Sequence, residues 1–411
     1  MRLLILSLLL LSASSLHAQQ RLLTGHTPSV SVLEETRLDW MFALANQSPA
    51  RVPDGWLDGY DSTKTTYELY VPPKLSSRNL VSLVLFVPPS NRSNIVRVWK
   101  DAATKHSVIL AGVHEAGNGV AMPKRVRAVM DVLDDVRRRF NVDPDKTYIS
   151  GYSGGGRVAC SIAFALPEYF GGVIPVCAGG SLRQEPWLRQ RVIDRLSIAQ
   201  LTGESDFNRG ECERLHQTEM DEIGVRCKTW VTPKLGHEVP GSAVLDEALT
   251  WLMEDVAAHK KFATAWPASS LAQPLSREEW ASALLAEGVK RTKKPKQLYS
   301  GLMQIKGVYT RWNDLPQAKA ALRILTEAQD GDLSWEKEDV AEQRRFLVAR
   351  ARAVDAYASG PLPKQYQNQK PNMLAAAVEL WEQVIKDGQD KNAVAQGQKR
   401  IPALKEMLGQ K

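Results

Sequence analysis

The stretch TYISGYSGGGRV, residues 147–158, decides how the rest of the chain is read. Thr147 to Ser150 has the character of a short strand and runs into Gly151. A helical pattern begins near Gly154 and fades at Pro167. Between them lies Gly151-Tyr152-Ser153-Gly154-Gly155, a G-x-S-x-G string. By chance roughly one chain in ten of this length holds such a string, so its position matters more than its letters. At a strand-to-helix junction the turn is so tight that small residues must flank the serine. The hydroxyl is then held above the sheet, and the helix N-terminus behind it favours developing negative charge. Ser153 is the candidate nucleophile; a glycine-rich turn without one is the alternative.

Outward from this turn, apolar strands alternate with helices. Thr66–Val71, Leu80–Val87 and Ser107–Val113 read as strands, and Pro123–Phe140 as a helix with Val126, Met130, Leu133, Val136 and Phe140 on one face. Residues 141–145 read as a turn. Further strands are predicted at Gly172–Val176, Leu196–Leu201 and Val225–Val231, and helices at Gly210–Ile223 and Ser242–His259. Such alternation implies an α/β fold, a mostly parallel sheet with helices on both faces. Strands vanish after residue 264. Pro267, Ser269, Ser270 and Pro274 mark residues 265–275 as a linker, and residues 276–411 read as an all-α C-terminal domain. Its helices are expected at Ser276–Lys290, Leu315–Gln329, Trp335–Ala358, Met373–Lys386 and Lys391–Leu408, either as tetratricopeptide-like hairpins or as a plain bundle.

A serine nucleophile needs a base, and the base an orienting acid. On strand-to-helix elbows of this kind the chain order is Ser, acid, His. Beyond Ser153 the histidines are His216, His237 and His259. His216 and His259 fall within or near the end of predicted helices. His237 lies in a loop after the strand at Val225–Val231, and loops at the carboxyl ends of strands are where such sheets place their sites. The acid should follow the preceding strand, where Glu204 and Asp206 are the candidates. Asp206 is favoured because it lies past the Gly203 turn and can reach back to the base.

Residues 66–260 resemble the α/β-hydrolase superfamily, and within it esterases similar to polyhydroxybutyrate depolymerases and feruloyl esterases. The resemblance rests on Val142-Asp143-Pro144-Asp145, on Gly151 to Gly155 and on Phe170 to Cys177. Thr202 to Asp206 and Gly236-His237 complete it. It implies Ser153 as nucleophile, Asp206 as acid and His237 as base; acyl transfer through such a triad calls for no metal and no cofactor. One departure stands out. Such esterases usually carry His-Gly after the strand equivalent to Leu80–Val87, where backbone N–H groups help bind the oxyanion. This chain has Pro88-Pro89-Ser90-Asn91, and proline has no N–H. The expected oxyanion donors are therefore the backbone of Gly154 and of Ser90.

The 411 residues carry a formal net charge of +7, and 44% are hydrophobic, the balance of a soluble globular protein. The basic residues are scattered apart from a run at Lys290–Lys296, and no nucleic-acid-binding module is present. Met1-Arg2, the apolar run Leu3–Leu11 and the small residues up to Ala18 have the layout of a secretory signal peptide over residues 1–18. That run is shorter than the roughly 20 residues of a membrane span. A secreted or periplasmic protein is expected. The hydrolase domain then covers residues 19–264. Cys160, Cys177, Cys212 and Cys227 lack the spacing of a zinc site. Cys212 and Cys227 are expected at opposite ends of a helix–strand unit, so most of the four should be free thiols. Residues 180–196, with Trp187, are expected to form at most a thin cap. The chain thus reads as a serine hydrolase of carboxylic esters, with bulky or polymer-attached esters suiting an open cleft. A serine peptidase of the same fold is one alternative. A non-catalytic binding protein acting through its helical domain is another.

Overall fold

The computed structural model describes residues 24–73, 75, 80–259, 271, 273–331 and 334–409. The leader read at residues 1–18 and residues 265–270 and 272 of the linker lie outside these. One sheet organises the first half. Its strands are β1 (Gly25–Ser31), β2 (Thr66–Val71), β3 (Val81–Val87), β4 (Val108–Val113), β5 (Val142–Tyr152), β6 (Gly172–Val176), β7 (Ser197–Gly203) and β8 (Arg226–Thr232). They lie in the order β1-β2-β4-β3-β5-β6-β7-β8. The pairs β1/β2 and β2/β4 are antiparallel, and all pairs from β4 through β3 to β8 are parallel. This is the mostly parallel sheet that the alternation predicts and the α/β-hydrolase fold that the resemblance implies.

The strands pack as their sequences dictate. In β3, Leu83, Leu85 and Val87 face one helix layer, and Val84 and Phe86 the other. The first layer contains α2 (Met122–Arg139), α3 (Gly154–Ala165) and α4 (Pro186–Arg195). The second contains α1 (Ile95–His106) and α6 (Ser242–Glu254). Edge strand β8 carries polar residues along much of its exposed length, which suits the unpaired side of a sheet. Strand β5 begins at Val142, inside the predicted turn, because Val142 pairs with Val81 before the register shifts.

Three parts of this half had no clear periodic signal: β1, α1 and the segment that follows β1. That segment is fastened to α2 by carboxylates. Asp135, Asp131 and Asp134 accept hydrogen bonds from the backbone N–H groups of Leu33, Thr36 and Arg37 at 3.1, 2.8 and 2.8 Å. These acids are not part of the predicted apolar face of α2, yet they are buried. Residues 180–196 also differ from expectation. They contain α4, whose Trp187 is buried against Phe42 with ring centroids 5.6 Å apart. Trp187, Leu188 and Val192 form an apolar face, so the segment joins the core and does not cap the site.

After a π-turn at Glu211–Gln217 comes α5 (Thr218–Ile223). The second half contains α7 (Arg277–Thr292), α8 (Leu298–Arg311), α9 (Pro316–Gln329), α10 (Ser334–Ser359), α11 (Lys370–Asp387) and α12 (Lys391–Met407). Helix α8 was not predicted. The helices form successive hairpins with lengths from 14 to 26 residues. Small residues set the closest crossing. A Cβ on Gly288 of α7 would lie 2.7 Å from Cγ1 of Ile305 on α8, so only glycine allows that approach.

The four cysteines are free. Cys212 and Cys227 are nearer each other than expected, because Gln200 Nε2 reaches both the Cys212 carbonyl and the Cys227 sulfur, at 3.2 and 3.5 Å.

Candidate active site

Ser153 sits between β5 and α3 with φ 53° and ψ −120°, a conformation that costs a non-glycine residue energy. The surrounding glycines make it possible. A Cβ on Gly155 would lie 2.0 Å from the Val87 carbonyl oxygen, and one on Gly151 would lie 2.4 Å from the Gly155 carbonyl. The start of α3 is thereby pressed against the end of β3, which lifts Ser153 out of the sheet. Its own N–H donates to the Val176 carbonyl at 2.8 Å.

His237 Nε2 lies 3.0 Å from Ser153 Oγ, and His237 Nδ1 lies 2.7 Å from Asp206 Oδ1. Asp206 is held in turn by the Thr202 hydroxyl at 2.6 Å and the Asn208 N–H at 2.9 Å. Burial works against its charge, but hydrogen bonds from His237, Thr202 and Asn208 prevail and keep its carboxyl below the usual range. Glu204 is exposed and accepts from the Lys234 N–H at 2.8 Å. The remaining histidines have other partners. His216 Nε2 lies 3.2 Å from Glu211, and His259 Nε2 lies 3.6 Å from Asp255.

Two aromatic residues flank the imidazole, and neither was singled out from the sequence. Phe207 stacks on it at 3.9 Å between centroids and 24° between planes. The Tyr152 ring lies 5.1 Å away, and its hydroxyl donates to the His237 carbonyl. Their positions beside Ser153 and Asp206 in the sequence were the available signal.

On the oxyanion side, Ser90 is exposed, and its hydroxyl donates to the Arg92 carbonyl at 2.8 Å. The hydroxyl is therefore engaged within its own loop. That loop is joined to the β4–α2 loop by bonds from Asn118 N–H to the Pro89 carbonyl (2.8 Å) and from Glu115 N–H to the Asn91 carbonyl (2.9 Å). The joining brings Asn118 to Gly154: a Cβ on Gly154 would lie 2.1 Å from Asn118 Oδ1 and 2.9 Å from its Nδ2. In sequence, Gly117-Asn118-Gly119 stands out only as a glycine-flanked segment after the strand at Ser107–Val113.

Cys177, Asp206 and His237 place potential ligand atoms within 4.8 Å of one another. The His237 and Asp206 atoms are already bonded to each other. Burial and the Asp206 charge push the Cys177 thiol up, which favours the protonated form, a poor metal ligand.

No protein-family model and no curated relative matches the chain. Among solved structures the chain is similar to several hydrolases and esterases. An S-formylglutathione hydrolase from Staphylococcus aureus is 14% identical over 47% of this chain and 90% of that one, with a TM-score of 0.37. A thermostable esterase is 22% identical over 46% of this chain and 59% of that one, at a TM-score of 0.38. Thermogutta terrifontis esterase 2 is 16% identical, covering 48% and 91% of the two chains at 0.36.

Proposed function

We propose that the chain is an exported serine hydrolase that cleaves carboxylic esters through an acyl-enzyme. The observation that carries this reading is the hydrogen-bonded line Ser153–His237–Asp206 on a strained strand-to-helix elbow. His237 takes the Ser153 proton as Oγ attacks the ester carbonyl. Asp206 fixes the imidazole tautomer and stabilises the cation that forms. The Gly154 N–H, at the start of α3, and the loop at Pro88–Ser90 bind the oxyanion, with Asn118 at its edge. His237 then protonates the leaving alcohol and activates the water that releases the acid. The chemistry uses side chains and backbone alone. Export is supported by the layout of residues 1–18. Among the described residues no helix is long and apolar enough to cross a membrane. With residues 180–196 folded into the core, bulky esters suit the site.

A fluorophosphonate probe tests the reading, because only an activated serine reacts with it. The wild-type chain should be labelled and should hydrolyse para-nitrophenyl butyrate faster than the matched anilide. Ser153→Ala should lose the label and reduce turnover by about 10⁴-fold or more. An unlabelled wild type, or a Ser153→Ala variant that still turns over the ester, refutes it.

A further inference from the structure

Beside the Ser153–His237–Asp206 line, a cleft of about 570 Å³ opens between the two halves of the molecule. One wall is the segment after β7, including Asp206, Phe207 and Arg214. The other is the loop after α10, Pro361 to Gln365. The two walls are fastened together. Arg214 Nη2 donates to the Pro361 carbonyl at 2.6 Å, and the Tyr366 hydroxyl reaches Asn208 Oδ1 at 3.4 Å. Asn208 is the residue whose N–H holds Asp206.

The charges in the cleft do not balance. Arg209 is neutralised by Glu213 at 2.9 Å. Arg214 lies between Gly210 and Gly360, where a Cβ would come within 2.3 and 2.5 Å of its guanidinium group. Among the described residues no carboxylate forms an ion pair with Arg214 or with the exposed Lys364. Asp206, also in the lining, is engaged by His237, Thr202 and Asn208. The lining thus has three cations against two carboxylates, and Arg214 and Lys364 are the two cations without an ion-pair partner.

The position of the cleft selects the part of the substrate that reaches it. A leaving alcohol must lie against His237 Nε2 to be protonated. The alcohol portion then continues past the imidazole, whose flank is covered by Phe207, and Phe207 is also the wall of the cleft. We infer that this cleft is a leaving-group subsite, completed by the helical half, for esters whose alcohol portion carries a carboxylate. The inference rests on the serine-esterase reading above.

The test uses the full chain and matched pairs of esters. Para-acetoxybenzoate carries its anion on the alcohol portion, and para-acetoxybenzamide is its neutral counterpart. Para-nitrophenyl succinate carries the anion on the acyl portion, and para-nitrophenyl butyrate is neutral. The expected result is a preference of about tenfold in kcat/KM for para-acetoxybenzoate over the amide, carried mainly by KM. It should shrink at about 0.5 M salt, and Lys364→Glu should abolish it. The acyl-side pair should show no such preference. Equal rates for the alcohol-side pair, a preference retained by Lys364→Glu, or a preference confined to the acyl-side pair each overturns the subsite. If the neutral esters turn over and Ser153 is labelled while no preference appears, the subsite alone is wrong. If neither label nor turnover appears, the esterase reading falls and the subsite with it.

Discussion

Strand β3 buries all seven of its residues between two helix layers, whereas α10 buries only eight of its 26. The difference extends to the surfaces these elements present. The sheet is enclosed by aliphatic side chains on both faces. Where α8 and α10 meet the sheet half, arginine–carboxylate pairs join a few apolar contacts from Tyr299, Met303, Phe346 and Ala349. Arg311 pairs with Asp39 at 3.2 Å and with Glu168 at 2.5 Å, all three buried. Burial opposes the Arg311 charge, but Glu168 and Asp39 hold it firmly protonated. Arg189 pairs with Glu342 at 2.7 Å and stacks over Phe346 at 3.8 Å, and Arg350 pairs with Glu219 at 3.2 Å. Apolar packing tolerates exchange among residues of similar size. A buried ion pair penalises the loss of either partner, because the other charge is left uncompensated. The seam thus depends on specific partners in a way the sheet core does not.

This contrast can be broken by separating rate from stability. The largest expected effect is on rate, within the sheet half. Asp206→Asn should lower kcat by about 10⁴-fold through loss of the correct tautomer, with the urea midpoint nearly unchanged. Steady-state kinetics beside a denaturation curve checks both. At the seam the order reverses. Arg311→Met should cost about 3–5 kcal/mol by removing the cation that Asp39 and Glu168 share, read as an earlier unfolding transition, while the folded fraction retains its turnover. A chain ending at residue 264 removes Arg311 and Arg350 together and should unfold earlier still. If that shortened chain is as stable as the full one, the seam contributes nothing.

The next effect depends on pH. Glu211 is bonded to Arg157 at 2.8 Å and to His216 at 3.2 Å. Burial would raise its carboxyl, but His216 and Arg157 lower it to about 2 from a reference of 4.5. A depressed pKa contributes stability above the unfolded value that is lost as pH falls towards the folded one. The contribution should be complete above pH 4.5 and disappear towards pH 2, on the order of 3 kcal/mol. Glu211→Gln should flatten the stability curve over that window; an unchanged curve would remove Glu211 as its cause.

Two smaller effects sharpen the site itself. Asn118→Ala should lower kcat by roughly tenfold, with little change in KM, because its amide lies against Gly154 where negative charge develops. Ser90→Ala should be milder, since the Ser90 hydroxyl is engaged by Arg92, whereas Ser90→Pro should be severe. Glu204→Gln should change kcat least, within about 0.5 kcal/mol for an exposed residue. A Glu204 effect larger than that of Asp206 would transfer the role of acid to Glu204.

The local pattern of the sequence was enough for the strand–helix alternation, the elbow at Gly151–Gly155 and the choice of Ser153, His237 and Asp206 as candidates. Periodicity records which face of an element is buried, and tight turns restrict residue type within a few positions. Long-range placement left no such record. Asp131, Asp134 and Asp135 lie off the predicted apolar face of α2, and nothing near them in sequence marks the segment at Leu33–Arg37 that donates to them. Nothing in the sequence singles out Asn118; it gains its place because its loop is joined to that of Pro89. The segment holding Trp187 read as a cap, yet Phe42 and α8 bury it. The sequence by itself determined which residues can be apolar, turn or react. Only the tertiary structure decided which charges meet across the seam and which loop walls the cleft beside Phe207, because those contacts join residues more than a hundred positions apart.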